Sequence, residues 1–443
     1  MQADTSHRVR KRRVFYILGY DPFHPRRYRE LYRKEAAAQA QISDFKIGLT
    51  PQTNGDRYGW HVDAHIENSH VETDFEVLVW SDLVRDSMDQ GILATYWQLI
   101  RTAWVYIASG ALWRLMRLRK GPVIAALYPV GFLILQLMTA LLVAVLVGTS
   151  LGVLHSALSW IGLLVIWPIL AWFRKIDNKL FAYYLMHDYA YSSQLKGANL
   201  PLLDVRLAEF GVELADALQS DADEVLLVGH SSGAHLAVHV LADMIRNHGL
   251  PEHAAELNFL SMGQVVPMMS FLPNAQKLRA DLKMLSEQSS VFWLDVTAPG
   301  DGCSFALCDP VAVSGVASKD KKWPLVISAA FTQTLSPKRW KELRWRFFRL
   351  HFQYLCAFDA PGDYDYFRIT AGPMTLLSAT SGDRRHGPDL KKRFLATRAR
   401  IHECFAPKTA GARGSCITSQ VSPAFPAGYL IGATGAFVPR LDG

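Results

Sequence analysis

Ser231 stands in Val225-Leu-Leu-Val-Gly-His-Ser-Ser-Gly-Ala-His-Leu-Ala237, where an apolar run meets Gly229-x-Ser231-x-Gly233 and then a helical pattern. A serine on a sharp strand-to-helix turn is held in a strained backbone with its hydroxyl clear of the sheet. Residues two before and two after it must be small, because backbone segments approach closely there. The helix beginning at the serine aims unpaired N–H groups at any negative charge that develops beside the hydroxyl. The chemistry this suits is nucleophilic attack on an acyl carbon.

A serine hydroxyl needs a base within hydrogen-bond reach, and the base needs an orienting acid. Asp301 is the preferred acid, since it follows the strand-like Val291–Val296 through the loop Thr297-Ala-Pro-Gly300. Asp295, inside that strand, and Asp309, before Pro310, are its rivals. His351 is the preferred base, with Tyr354 one turn further on; His386 in Gly-Asp-Arg-Arg-His-Gly and His402 remain alternatives. His230 is expected to point back into the sheet packing. His235 and His239 share a helical face but lack an evident carboxylate partner, so no metal site is expected there.

Gly229-His230-Ser231-Ser232-Gly233 resembles the nucleophile elbow of the α/β-hydrolase superfamily in its esterase and lipase form. The resemblance implies a mostly parallel sheet flanked by helices, and a Ser…Asp/Glu…His triad in that chain order. It also implies two oxyanion donors: the N–H of Ser232, and one from the loop after an early strand. Gly19-Tyr20-Asp21-Pro22 is the candidate loop and Tyr20 the candidate donor, although the usual His-Gly pattern is missing.

The elements that must position these residues surround an apolar insertion. From Gly121 to Phe173 there is no Asp, Glu, Lys or Arg. Val123–Val147 suffices to cross a hydrocarbon layer, Gly148–Gly152 reads as a turn, and Val153–Phe173 supplies a second span. Arg114, Arg117, Arg119 and Lys120 precede it, and Arg174, Lys175 and Lys179 follow. Basic flanks at both ends place both soluble parts on the cytoplasmic face. The sequence therefore divides into 1–120, the first part of an α/β domain with an interfacial helix; 121–173, a transmembrane hairpin; 174–404, the part carrying the elbow; and 405–443, a tail.

Strands are expected at Arg13–Leu18, Phe45–Leu49, Tyr58–Ile66, Phe75–Trp80, Val291–Val296 and Trp323–Ala330, besides the elbow strand. Helices are expected at Arg26–Gln41, 91–118, Asn178–Gln194, Leu203–Ala217, Ser231–Ile245 and Trp340–Leu355. The stretch 91–118 holds Tyr96, Trp97, Trp104, Tyr106 and Trp113 among arginines, which suits a membrane surface.

With 50% hydrophobic and 11% aromatic residues the chain can fill both a core and a membrane segment. Its net charge of +7 is concentrated partly in Arg8–Arg13, which suits anionic head groups or a solvated terminus. No nucleic-acid module is recognisable. Cysteines at 303, 308, 356, 404 and 416 have no metal-ligand spacing and an odd count, which suits free thiols in a reducing compartment. The apolar run Val14–Leu18 is too short for a secretory signal.

The reading is a membrane-anchored serine hydrolase that cleaves an ester or thioester with an apolar acyl chain and needs no cofactor. A non-catalytic membrane adaptor and an acyltransferase remain open. Oligomeric state is not legible.

Overall fold

The computed structural model describes residues 8–52, 58–251 and 254–382. Eight strands form one sheet in the order β2-β3-β4-β1-β5-β6-β7-β8. They are β1 Lys11–Ile17, β2 Lys46–Pro51, β3 Gly59–Ile66, β4 Ser69–Leu78, β5 Glu224–His230, β6 Glu256–Met262, β7 Val291–Thr297 and β8 Leu325–Ser328. Only the pairings of β3 with β2 and β4 are antiparallel. The expected α/β class and mostly parallel sheet are therefore present. β1–β4 precede the apolar segment and β5–β8 follow it, so the insertion interrupts a single sheet.

Central strands such as β5 are buried along their whole length, which explains their continuous apolar runs. β3 alternates instead: Trp60, Val62, Ala64 and Ile66 face the core while Asp63 and His65 face outward. Apolar side chains fill both sides of the sheet. Helices Pro201–Leu218 and Gly233–His248 cover one side, whereas Arg26–Ser43 and the chain from Phe331 to Leu376 cover the other.

β6 was not expected from sequence. Glu256-Leu-Asn-Phe-Leu-Ser-Met interrupts its apolar run with Asn258 and Ser261, yet both are buried. Asn258 Nδ2 donates to Glu224 Oε1 at 2.7 Å, and Ser261 Oγ donates to Asp295 Oδ1 at 2.6 Å. Cross-strand partners make these polar positions affordable inside the sheet.

The apolar segment contains two helices long and apolar enough to cross a membrane, Lys120–Gly152 and Ser156–Lys175. The expected turn at Gly148–Gly152 is corrected: the first helix runs through it. Thr149 and Ser150 return their hydroxyls to the Leu146 carbonyl at 3.0 and 2.8 Å, so turn-forming residues are satisfied inside the helix. The glycines mark close packing instead. A Cβ on Gly148 would lie 2.7 Å from the Ser159 carbonyl oxygen, and one on Gly162 2.3 Å from that of Ala144. Residues 156–165 of the second helix are 3-10, and Ile166–Lys175 are α-helical.

Other boundaries shift where a residue turns left-handed. Gly110 (φ 72°) splits 91–118 into Ile92–Ala108 and Ala111–Leu118, and Phe181 (φ 56°) splits the helix expected at 178–194. The helix expected at 340–355 is three short pieces, the middle one being Phe347–His351. Part of the basic Arg8–Arg13 run is engaged within the fold. Arg12 is buried against Glu224 at 2.5 Å and also donates to the carbonyls of Gly372 and Met374. Lys11 and Arg13 pair with Asp221 and Glu76, and Arg8 donates to Ser69.

Candidate active site

The sheet directs attention to one place on its C-terminal edge. The helix after β1 packs on one side and the helix after β5 on the other, so the loops leaving these adjacent parallel strands diverge. Such a switch point opens a crevice beyond the strand ends. Gly19-Tyr20 lies on one lip and Gly229–Gly233 on the other.

Ser231 has φ 58°, a left-handed conformation that costs a non-glycine residue about 1–2 kcal/mol. Its N–H donates to the Met262 carbonyl at 2.9 Å, and its carbonyl accepts from Ala234 at 3.2 Å, which together hold the turn. A Cβ on Gly233 would lie 2.3 Å from the Ile17 carbonyl oxygen, and one on Gly229 2.8 Å from Ala234 Cα. Both spacing rules of the motif are thus enforced by backbone contact. Ser231 is half-buried.

His351 ends the short helix Phe347–His351, and its Nδ1 lies 2.8 Å from Asp301 Oδ2. A carboxylate can only accept, so Nδ1 carries the proton and Nε2 presents its lone pair. Nε2 is buried and has no hydrogen-bond partner, including Ser231. Bonds of this kind commonly close only around a substrate. The imidazole nevertheless lies beside the elbow. The His230 ring is 4.8 Å from the His351 ring, centroid to centroid, and His230 Nε2 donates to the His351 carbonyl at 3.0 Å. Gly263, next to the Met262 that holds Ser231, has φ 55°, and a Cβ there would meet His351 Cε1 at 3.0 Å.

Asp301 is fixed from several directions. It accepts from Tyr354 Oη at 3.0 Å on Oδ2 and from the Cys303 N–H at 2.9 Å on Oδ1. Tyr354 Oη in turn accepts from the Ala298 N–H at 2.9 Å. Burial alone would raise the Asp301 carboxyl, but the His351 charge and hydrogen bond, with Cys303 and Ser304, hold it below the usual carboxylate range. Burial pushes His230 down to about 3, so it is neutral and its Nε2–H serves as a fixed donor.

The rivals separate on geometry. Asp309 caps the turn at Pro310–Val313, accepting from Val311 and Ala312 at 2.9 and 3.2 Å. Asp295 faces Ser261 from within β7, and burial pushes its carboxyl up to about 8. That group stays protonated in the folded chain while its unfolded counterpart ionises near pH 4. Its contribution to stability is complete below that pH and disappears as pH rises through about 8. The slope reaches ~1.4 kcal/mol per pH unit inside the window. Asp295→Asn is expected to flatten the fall in thermal midpoint between pH 5 and pH 8; an unchanged slope would contradict the assignment. His386 and His402 lie outside the described residues.

Other expected site residues have different partners. The Tyr20 N–H, the proposed second oxyanion donor, is engaged by Ser232 Oγ at 2.8 Å. Ser232 immediately precedes the helix Gly233–His248, so its own N–H belongs to the amides that a helix leaves without internal acceptors. His239 does have a carboxylate, Asp281 at 2.6 Å, supplied by the helix Gln276–Glu287 and shared with Arg246 and Lys277. One ligand atom each from Asp301, Cys303 and His351 lies within 4.8 Å of the others. Burial, then Asp301, pushes the Cys303 thiol well up, so it remains a protonated, poor ligand and the group reads as an acid–base pair.

Beside the elbow, a small cavity of about 20 Å³ is bounded by Trp80, Tyr191, Leu203, Leu236 and Met269, and reaches the turn at Ser232 rather than Ser231. Asp188 lines it too, and burial pushes that carboxyl up to about 7 against a smaller pull from His351. The helix Ala182–Ser193, which follows the apolar pair, covers this space. Its Tyr184 Oη donates to the Tyr20 carbonyl, and Phe181 packs 5.2 Å from Phe348, three residues before His351.

Sequence reasoning placed Asp301 and His351 together but missed His230 as a brace for His351, Gly263 as the space beneath its ring and Asp188 as a pocket carboxyl. A left-handed glycine after a strand was the one available signal. Set against protein-family models, curated proteins and solved structures, the chain matches none.

Proposed function

We propose that the chain is a membrane-anchored serine hydrolase of the α/β-hydrolase kind, acting on an ester or thioester with an apolar acyl chain. One observation carries the reading. A strained serine sits on a strand-to-helix turn whose preceding residue, His230, packs on an imidazole with Nδ1 held by a buried carboxylate and Nε2 left open.

In this reaction Ser231 Oγ bonds to the acyl carbon while its proton passes to His351 Nε2. Asp301 stabilises the resulting imidazolium. The carbonyl oxygen gains the displaced electron pair and faces the Ser232 N–H; the Tyr20 N–H joins it once the Ser232 hydroxyl turns away. Collapse breaks the bond to the leaving group, which takes the proton from Nε2. Water then attacks the acyl-enzyme with His351 again as base.

The cavity beside Ser232 is apolar-walled but small, so the apolar acyl chain is inferred from the surfaces that favour a bilayer. Leu93, Trp97, Ile100, Trp104 and Ile107 form an exposed stripe along the helix Ile92–Ala108. Its opposite side is fixed to the pocket-covering helix by Thr102–Ser193 and Gln98–His187 hydrogen bonds. In the two apolar helices only 22% and 11% of the most apolar window is buried, whereas a helix pair filling a core would be enclosed. The second is about 35 Å long, because its 3-10 half rises faster than an α-helix, and so matches a hydrocarbon layer of about 30 Å. Basic residues at both outer ends favour the two soluble parts on the cytoplasmic side.

The test is labelling of membranes with a fluorophosphonate probe after an alkaline carbonate wash. Label on the wild-type chain and none on folded Ser231→Ala is expected. Label that persists in the variant would put the reactive nucleophile elsewhere than Ser231, and folded wild type that never labels leaves the adaptor reading. Extraction of the chain by carbonate would remove the spans. Competition of an added alcohol with water for the acyl group would instead make the enzyme an acyltransferase.

A further inference from the structure

The β3–β4 hairpin gathers a second set of reactive side chains at the opposite end of the sheet from β7 and β8. Glu67 (φ 52°) and Asn68 (φ 58°) are both left-handed, and this two-residue turn matches the twist of the strands it joins. The turn fixes the register: His65 faces His70, Asp63 faces Glu72 and His61 faces Asp74. Directly opposed side chains share a face, so all six project together, away from Trp60, Val62 and Ala64. A slip of one residue would send the imidazoles to the core side. Register therefore builds this cluster.

Asp63 sits between the two imidazoles. Its Oδ1 lies 3.6 Å from His65 Nδ1 and its Oδ2 2.8 Å from His70 Nε2. The two rings are 4.6 Å apart, and one ligand atom from each of the three residues lies within 4.8 Å of the others. All three side chains are roughly half exposed, so an ion has access and room for water ligands. Nearby cations offer little competition. Lys11 and Arg13, opposite Glu72 and Asp74, are engaged by Asp221 and Glu76, which leaves Lys46 opposite His65.

We propose that Asp63, His65 and His70 bind one divalent transition-metal ion of the Zn²⁺ class, with its remaining positions open to water or a further ligand. Two imidazoles and a carboxylate select such ions, whereas Ca²⁺ and Mg²⁺ take sets of oxygens. The site joins the two strands across their turn, and it does not depend on the reading of Ser231.

The test uses the full chain in detergent micelles, stripped of metal with EDTA and titrated with Zn²⁺ by calorimetry and with Co²⁺ by visible absorption. One ion per chain is expected, with affinity at least ~10-fold weaker in both His65→Ala and His70→Gln. Cys303→Ser should bind as wild type, which separates this site from the Asp301–Cys303–His351 group. Circular dichroism checks that the variants are folded, and fluorophosphonate labelling should not change in the hairpin variants. Equal binding by wild type and both histidine variants would overturn the site. So would wild-type binding no tighter than about 1 mM.

Discussion

Replacing Ser231 with Ala, His351 with Ala, or both is expected to lower turnover of p-nitrophenyl butyrate by nearly the same factor, on the order of 10⁶. On the proposed reading the three losses coincide because the two groups perform one act. Without the imidazole the hydroxyl keeps its proton and remains a weak nucleophile; without the hydroxyl the imidazole has nothing to activate. A double variant therefore has little left to lose. Residual rate should come from binding and the Ser232 N–H, which do not depend on either side chain. His351→Ala also removes the partner of Asp301, leaving a buried carboxylate short of one donor. Its thermal midpoint should fall, while that of Ser231→Ala should hold, since the turn is fixed by backbone bonds to Met262 and Ala234. Kinetics and stability together separate lost chemistry from lost fold. Ser231→Ala within tenfold of wild type, or single losses that multiply in the double variant, would contradict a shared proton transfer.

Much of this arrangement was readable before any coordinates, and the reasons differ by element. β5 and the elbow were legible because every constraint there is local: an apolar run, glycines two positions either side, and a helical pattern beyond. Asp301 and His351 were singled out from chain order, as the expected acid after a strand and the expected base later. Their meeting at 2.8 Å depends on the tertiary fold. Apart from the helix boundaries moved by left-handed residues, several failures share one physical cause, polar residues that find partners inside the structure. Asn258 and Ser261 disguised β6, Thr149 and Ser150 imitated a turn, and Arg12 in a basic run proved to be a buried ion-pair member. Composition reveals that a group is polar but not whether a distant strand supplies its partner. The Tyr20 amide was limited in the same way, because the Ser232 hydroxyl that engages it is brought there by strand pairing.

Asp301→Asn is expected to reduce kcat by about 10⁴-fold with the fold intact, through the position of a single proton. The surrounding bonds determine which way the new amide points. Asp301 Oδ1 accepts the Cys303 N–H at 2.9 Å, so an Asn retains its oxygen there. Its NH₂ then occupies the place of Oδ2, facing His351 Nδ1 and Tyr354 Oη. Tyr354 can respond by rotating its hydroxyl, but the imidazole has only one neutral answer. Nδ1 must accept, the proton moves to Nε2, and the nitrogen nearest the elbow can no longer take one from Ser231. Fluorophosphonate labelling should slow in parallel, since it requires the same transfer. At alkaline pH hydroxide can ionise the serine directly, so the variant's rate should keep rising where the wild type levels off. Tyr354→Phe removes one bond to the carboxylate but leaves its charge and its contact with Nδ1, so a much smaller loss is expected. A kcat within tenfold of wild type in Asp301→Asn would mean that another group orients the imidazole.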